Sequence, residues 1–305
     1  MTKAGLPGRD PVPIGDVAAP AFARLPDPLN LFGTRGRRFR HLAEGHDLKP
    51  YLLFLADLAE AQARVQVDLP EPALPEPDAL RRAHEFGMPP LDRNRFVADP
   101  VFGATLDRLL SLAEAIAMPD AAAEALARVR EADPVARAGM ILAVLADAIP
   151  VEELAAHGYI AAALQVHFAR LAAQLDPKSL VPVGDGVCPV CGGPPAASMV
   201  VGWHGAHGTR YCGCGLCGVL WNYVRIKCTL CASTKGIGYQ EIEGGPGTVK
   251  AETCDSCRGY LKVLQQHKDP GVDIIADDVA SLGLDLLVRE AGFRRGGVNP
   301  FLLGY

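Results

Sequence analysis

Up to about residue 180, apolar side chains recur at three- and four-residue intervals among many Ala, Leu, Glu and Arg. That is the period of helices with one buried face. The pattern predicts helices over 36–46, 48–66, 101–117, 119–131, 134–148 and 151–175. In the second, Leu52, Leu55, Ala56, Ala59 and Ala63 form one apolar stripe. Asp133 is placed to cap a helix that begins at Pro134. Pro119 suits a first helical position, with the charge of Asp120 in the first turn. The stretch 68–80 contains four prolines and reads as a loop.

The pattern changes after residue 187. The runs SMVVGW, VLWNYVRI and TVKAET are rich in strand-forming residues and are separated by glycine-containing turns. Asp269-Pro270 is followed by a predicted helix over 272–290, and the tail GGVNPFLLGY reads as extended. The expected fold class is therefore α+β. An all-helical N-terminal domain (1–180) precedes a tandem ribbon domain (181–268, modules about 184–223 and 224–268). A C-terminal helix and tail (269–305) complete the chain.

Cysteine usage sharpens this division. Residues 1–187 contain no cysteine, and all nine lie between Cys188 and Cys257. Eight form four CxxC pairs: Cys188/Cys191, Cys214/Cys217, Cys228/Cys231 and Cys254/Cys257. Each pair of the second half follows its counterpart by 40 residues, and 22 residues separate the two pairs within each half. This is an internal repeat with matched ligand spacing. Two tetrahedral four-thiolate metal sites follow from it, because a CxxC turn offers two sulfurs to one side of an ion and a hairpin returns with two more. Glycines after the knuckles (Gly192, Gly193, Gly218, Gly259) are expected to permit left-handed turns. Tetrathiolate chemistry suits zinc and iron alike. A structural role is the simpler expectation, because small ribbons lack a core of their own; redox work is the alternative.

Composition bounds the remaining classes. Hydrophobic residues make up 49% of the 305, enough for a sizeable core, and the net charge is -5. From Val181 to Lys268 there are eight Lys/Arg and five Asp/Glu. Eight thiolates and two divalent ions turn that small excess to about -1, which argues against a nucleic-acid-binding ribbon. The longest apolar stretch, Met140 to Val151, is interrupted by Asp147 and Pro150, so no membrane insertion is expected. Met1 to Pro20 has no apolar signal-peptide core, which points to the cytoplasm, where thiols stay reduced.

Other polar residues invite plainer readings. Cys212 breaks the repeat and reads as a strand residue, with a redox-active thiol as the alternative. His204 and His207 read as solvated hairpin residues beside already complete ligand sets, and His157 and His167 as ordinary helix residues. Asp277, Asp278 and Asp285 read as a solvated or partner-facing helix edge; an acid–base pair is the alternative. No catalytic fingerprint such as GxSxG, a Walker loop or a dinucleotide motif is present, so no enzymatic activity is expected.

The segments CPVCGGPP (188–195), RYCGCGLCGVLW (210–221), VRIKCTLC (224–231), KAETCDSCRGYLK (250–262) and KDPGVDIIADDVASLGLDLL (268–287) together resemble the FdhE family of formate dehydrogenase accessory proteins. So does VNPFLL (298–303) and, more loosely, RRFRHLAEGHDLKPYLLFLADLAEAQ (37–62) with PPLD (89–92). The resemblance implies a cytoplasmic maturation factor that binds the catalytic subunit of respiratory formate dehydrogenase and carries rubredoxin-like iron. By position its ligands are Cys188, Cys191, Cys214, Cys217, Cys228, Cys231, Cys254 and Cys257. Cys212 stands where the family commonly has an apolar residue and inherits no role. The alternatives are an iron-dependent electron-transfer or thiol-redox protein and, further off, a zinc-ribbon nucleic-acid binder.

Overall fold

A computed structural model describes residues 20–302. Seven helices form the N-terminal part: α1 (Pro28–Leu42), α2 (Lys49–Val65), α3 (Pro77–Glu85), α4 (Pro100–Ala113), α5 (Asp120–Glu131), α6 (Pro134–Leu145) and α7 (Leu154–Ala172). Three share one start signal. Asp27, Asp99 and Asp133 each accept a backbone N–H of the first turn, ahead of Pro28, Pro100 and Pro134. The predicted α1 began eight residues too late, and α3 begins inside the stretch expected to be a loop, with Pro77 at its first turn. At α5, Pro119 is the cap and Asp120 the first helical residue.

α7 is the axis of this part. Fifteen of its 19 residues are buried, so it has neighbours on nearly every side. It packs against α2, α4, α5 and α6. α1 and α2 lie close together because position 36 is glycine: a Cβ there would come within 3.2 Å of the Ala56 carbonyl oxygen.

The C-terminal part holds one mixed sheet. Its strands are β2 (Pro195–Val200), β3 (Arg210–Cys214), β4 (Leu220–Asn222), β5 (Ile237–Gln240), β6 (Val249–Cys254), β7 (Gly259–Gln265) and β8 (Arg294–Arg295), with β1 (Ala23–Arg24) contributed from before α1. The spatial order is β1-β4-β3-β2-β7-β6-β5, with β8 beside β7. The 40-residue repeat is visible in it, since β2, β3 and β4 recur as β5, β6 and β7. Parallel pairing of β2 with β7, Ser198 opposite Val263, fuses the two halves. Antiparallel pairing of Ala23 with Trp221 adds the N-terminal strand to the edge of the first half.

The buried core runs without a break from Leu52, Phe102 and Phe168 of the helices to Val190, Val219 and Trp221 of the first half-sheet. A smaller cluster of Ala251, Tyr260, Leu284, Val288 and Phe293 lies under the second. The helix predicted over 272–290 is divided into α8 (Ala276–Ala280) and α9 (Leu282–Glu290). Lys262 Nζ donates to the carbonyls of Asp278 and Ser281, and the Ser281 hydroxyl to that of Asp277, which breaks the helical ladder. Asp273, not Asp269, takes the free N–H groups of Ile275 and Ala276 at its start.

The three aspartates of this segment are buried, contrary to the solvated edge expected. Asp277 pairs with Arg38 of α1, with Nε to Oδ2 at 2.9 Å. Asp278 and Asp285 each meet both Lys262 and Arg295, and Tyr260 donates to Asp285 at 2.7 Å. Every carboxylate there is matched by a cation, so the cluster clamps the C-terminal segment to the sheet. Among the described residues no helix is long and apolar enough to cross a membrane.

Candidate metal centres

The fold brings the eight repeat cysteines into two groups of four: Cys188, Cys191, Cys214 and Cys217, then Cys228, Cys231, Cys254 and Cys257. Within each group all four sulfurs lie within 4.8 Å of one another. In each half one knuckle precedes the first strand of the repeat, and the other follows the second strand. Pairing of Pro195 with Cys214, and of Ile237 with Cys254, sets them opposite each other.

The sulfur spacing fits a metal. A tetrahedral ion with metal–sulfur bonds of about 2.3 Å has sulfur–sulfur edges of about 3.8 Å. The observed edges are 3.5 Å for Cys188–Cys217, 3.4 Å for Cys191–Cys214, 3.8 Å for Cys228–Cys257 and 3.7 Å for Cys231–Cys254. All are far longer than a disulfide. Backbone donors point at sulfur in both groups. Leu216 and Cys217 N–H approach Cys214 Sγ at 3.4 Å, and Leu230 N–H approaches Cys228 Sγ at 3.4 Å. Such donors favour thiolate.

Burial and hydrogen bonding shift several of the thiols in opposite directions. Hydrogen bonds from Cys188, Cys191 and Cys217 hold Cys214 well below the ordinary thiol range, while burial pushes Cys188 and Cys217 well above it. In the second group burial pushes Cys228 up to about 12. Burial also acts to raise Cys254, but the backbone N–H groups of Cys257 and Ser256 bring it down to about 7. Four thiolates brought this close need a cation among them.

The first group has supports that spacing alone does not reveal. The segment before α4 lies over its first knuckle: Leu91 N–H donates to the Val190 carbonyl at 2.9 Å and Arg93 N–H to that of Cys191 at 3.1 Å. The Arg93 guanidinium donates to Asp147 at 3.1 Å, and that carboxylate keeps it charged against the cost of burial. Arg93, Asp147 and Gln165 line a narrow cavity that reaches Cys214. Gln62 of α2 donates to Gln165 of α7, which donates to the Gly215 carbonyl at 2.7 Å. This amide relay joins the helical core to the second knuckle. The sequence signal available was PPLD at 89–92, the segment that forms the cover.

Of the expected left-handed glycines, Gly192 and Gly218 are left-handed, whereas Gly193 and Gly259 are not among the positive-φ residues. At Gly259 a Cβ would fall 2.3 Å from Leu230 Cδ1, so a side chain there would have to move the end of that leucine. In the second half the equivalent left-handed positions are Ala232 and Arg258.

The remaining candidates stand apart from both groups. Cys212 is fully buried on β3, opposite Ser198 and Trp221, and burial pushes its thiol up to about 11. His204 and His207 are exposed on the β2–β3 connection. His157 is buried, with Nδ1 2.9 Å from the Glu153 carbonyl. His167 is buried among Phe96, Phe102 and Phe168, and desolvation lowers it to about 4.

The family models described as FdhE N-terminal, FdhE central domain and FdhE C-terminal domain match residues 20–185, 187–225 and 226–302 in turn. A "Protein FdhE homolog" of Rhizobium meliloti is 50% identical over 298 residues, covering 97% of both chains. One from Edwardsiella ictaluri is 39% identical, covering 91% of this chain and 90% of that one. The crystal structure of the FdhE protein from Pseudomonas aeruginosa superposes with a TM-score of 0.81 at 34% identity. The match covers 93% of this chain and 99% of that one.

Proposed function

This chain belongs to the FdhE family, and on that footing we propose that it is a cytoplasmic, non-enzymatic accessory factor for respiratory formate dehydrogenase. It binds the catalytic subunit of that enzyme during maturation and holds two rubredoxin-like metal ions. The observation that carries the metal reading is the pair of preformed four-sulfur groups with edges of 3.4 to 3.8 Å. Cys188, Cys191, Cys214 and Cys217 hold one ion, and Cys228, Cys231, Cys254 and Cys257 the other.

When bound, each ion neutralises thiolate charge and cross-links two knuckles distant in sequence. The chain's own residues do the rest. Backbone N–H groups orient the sulfurs, the 91–93 segment and the Gln62–Gln165 relay hold the first set against the helices, and the Asp278/Asp285 clamp fixes the sheet beneath the second. The donor set serves zinc as well as iron. Iron is favoured by the family resemblance.

The test has two arms. Protein purified without oxygen is assayed for iron and zinc and for the visible absorption of ferric tetrathiolate. In the cell, deletion of the gene is expected to abolish or sharply reduce formate oxidation, and the protein is expected to co-purify with the catalytic subunit. Unchanged formate oxidation, in a strain with no second copy of the gene, overturns the accessory role. Loss of activity with no association even after cross-linking favours a reversible electron-transfer role, which a measured reduction potential then checks.

A further inference from the structure

The two thiol groups repeat the same ligand spacing, yet they differ in what lies over them. In the first, Cys188, Cys191 and Cys217 are fully buried and Cys214 is 4% exposed. In the second, Cys228 and Cys254 are buried, but Cys231 is exposed and Cys257 half-buried. The equivalent turn positions record the difference. A Cβ on Gly192 would meet Pro89 at 3.2 Å, and one on Gly218 would meet Leu31 at 3.0 Å and Pro26 at 3.3 Å. The first group is therefore roofed on both knuckles, with Pro89 over one and Leu31 and Pro26 over the other. At the same left-handed turns the second group carries Ala232 and Arg258, whose side chains need room that only an unroofed knuckle leaves.

The surroundings of the second group agree. Val190, between the first two ligands, is fully buried, whereas its counterpart Leu230 is 40% exposed. Leu230 lies beside Gly259 and Gly296. Arg258 does not fold back over the sulfurs: its guanidinium stacks on Phe293 at 3.9 Å and donates to the Ala291 carbonyl. Near Cys231 and Cys257 stand the Ser233 and Ser256 hydroxyls, 3.0 Å apart and exposed. Arg294 donates to the Cys257 carbonyl at 3.5 Å, and Arg258 lies 3.6 Å from the Asp255 carboxylate.

We propose that the second group is an exchange-competent metal centre, open through Cys231 to a thiolate ligand from outside the chain, while the first is closed. The proposal rests on the two-ion reading given above. Exchange substitutes one thiolate for another, with Cys231 leaving as thiolate, so charge and oxidation state are conserved and no oxidant or reductant is required. A cysteine of a bound protein has the required chemistry. Reactivity follows exposure, and Cys231 is the only exposed cysteine among the described residues.

The experiment uses the full chain loaded anaerobically with zinc to a measured two equivalents. Transfer to the chromogenic chelator 4-(2-pyridylazo)resorcinol is followed with time, with and without added glutathione as the thiolate. One equivalent is expected to leave about tenfold faster or more than the other, and glutathione is expected to accelerate that equivalent alone. In parallel, limited alkylation of the wild-type loaded chain with iodoacetamide is mapped by peptide mass. Cys231 is expected to label first, Cys257 next, and Cys188, Cys191, Cys214 and Cys217 last. Equal release rates, or first labelling within the Cys188–Cys217 set, overturn the asymmetry while leaving the two-ion reading intact. Uptake of fewer than two equivalents overturns that reading and this proposal with it.

Discussion

Gly192 and Ala232 occupy the same turn forty residues apart, both left-handed, with φ of 75° and 60°, and only the first is roofed by Pro89. One repeat has thus been pressed against the helices and the other left open. Gly192→Ala must adopt a left-handed conformation, which costs about 1–2 kcal/mol, and must also displace Pro89. It is expected to lower stability by at least that much in urea unfolding. Ala232→Gly relieves the same strain but frees the unfolded chain, so the two effects offset to within about 1 kcal/mol. Equal losses in both variants would contradict the roofed and unroofed geometry.

Arg93 and Asp147 fasten the segment that covers the first knuckle. Their side chains are 13% and 24% exposed, so each is costly to leave without the other. Arg93→Met and Asp147→Asn are each expected to cost about 1–3 kcal/mol. The double variant should cost less than the sum of the two. A coupling energy near zero in the double-mutant cycle would show that the cover is held by the backbone bonds of Leu91 and Arg93 alone.

His167 makes stability depend on pH. Burial, with Arg170 adding to it and Asp99 opposing, lowers the folded imidazole to about 4, against an unfolded value of about 6.5. The folded pKa is depressed, so the full contribution is present above about pH 6.5 and is lost as pH falls toward 4. The whole loss is on the order of 3 kcal/mol. His167→Phe, in a pocket already lined by Phe96, Phe102 and Phe168, is expected to flatten the stability curve in that window. Urea midpoints measured from pH 7 to 4 check this; parallel curves for the two proteins count against it.

What could be read in the sequence, and what could not, follows the range of the interactions. Ligand spacing is local chemistry, and the 22- and 40-residue intervals led to the two sulfur groups found. The apolar pattern starts α1 late because Gly33, Gly36 and four arginines blur its stripe, although Asp27-Pro28 carries the same signal as Asp133-Pro134. Parallel pairing of β2 with β7 joins strands more than sixty residues apart and has no local signature. Asp278 and Asp285 look like a charged outer edge until Lys262 and Arg295 arrive from β7 and β8. Arg93 and Gln165 come to the first site only through helix packing.

The buried clamp offers a sharper test than its charge count suggests. Lys262 is fully buried and contacts both Asp278 and Asp285. Lys262→Met leaves two buried carboxylates with Arg295 as their one cation, at an expected cost of about 3–5 kcal/mol. It also frees the carbonyls of Asp278 and Ser281, which break the α8–α9 ladder. The loss should appear as early hydrogen exchange in α9 and β7, with α4 and α7 protected as before. Uniform loss of protection across the chain would mean that the clamp supports the whole fold.

Finally, the two sulfur groups should differ in what their loss undoes. Cys188, Cys191, Cys214 and Cys217 lie inside the core shared with the helices, whereas the second group sits over a separate cluster of five buried apolar residues. A metal cross-link supplies on the order of 10 kcal/mol to the structure that holds it. Cys214→Ser removes that support from the continuous core and plants a hydroxyl among its apolar groups. Helical circular dichroism and metal content should then fall together, with a lower melting temperature for the entire chain. Cys254→Ser should release one metal equivalent and open 226–265 to protease while the helices melt near the wild-type temperature. Cys212→Ala is the control: it lies outside both groups, so both metals should stay, and only a small cavity cost of about 1 kcal/mol is expected. If Cys254→Ser melted the helices as severely as Cys214→Ser, the β2–β7 pairing would have to transmit the damage, and the second group could no longer be treated as peripheral to the core.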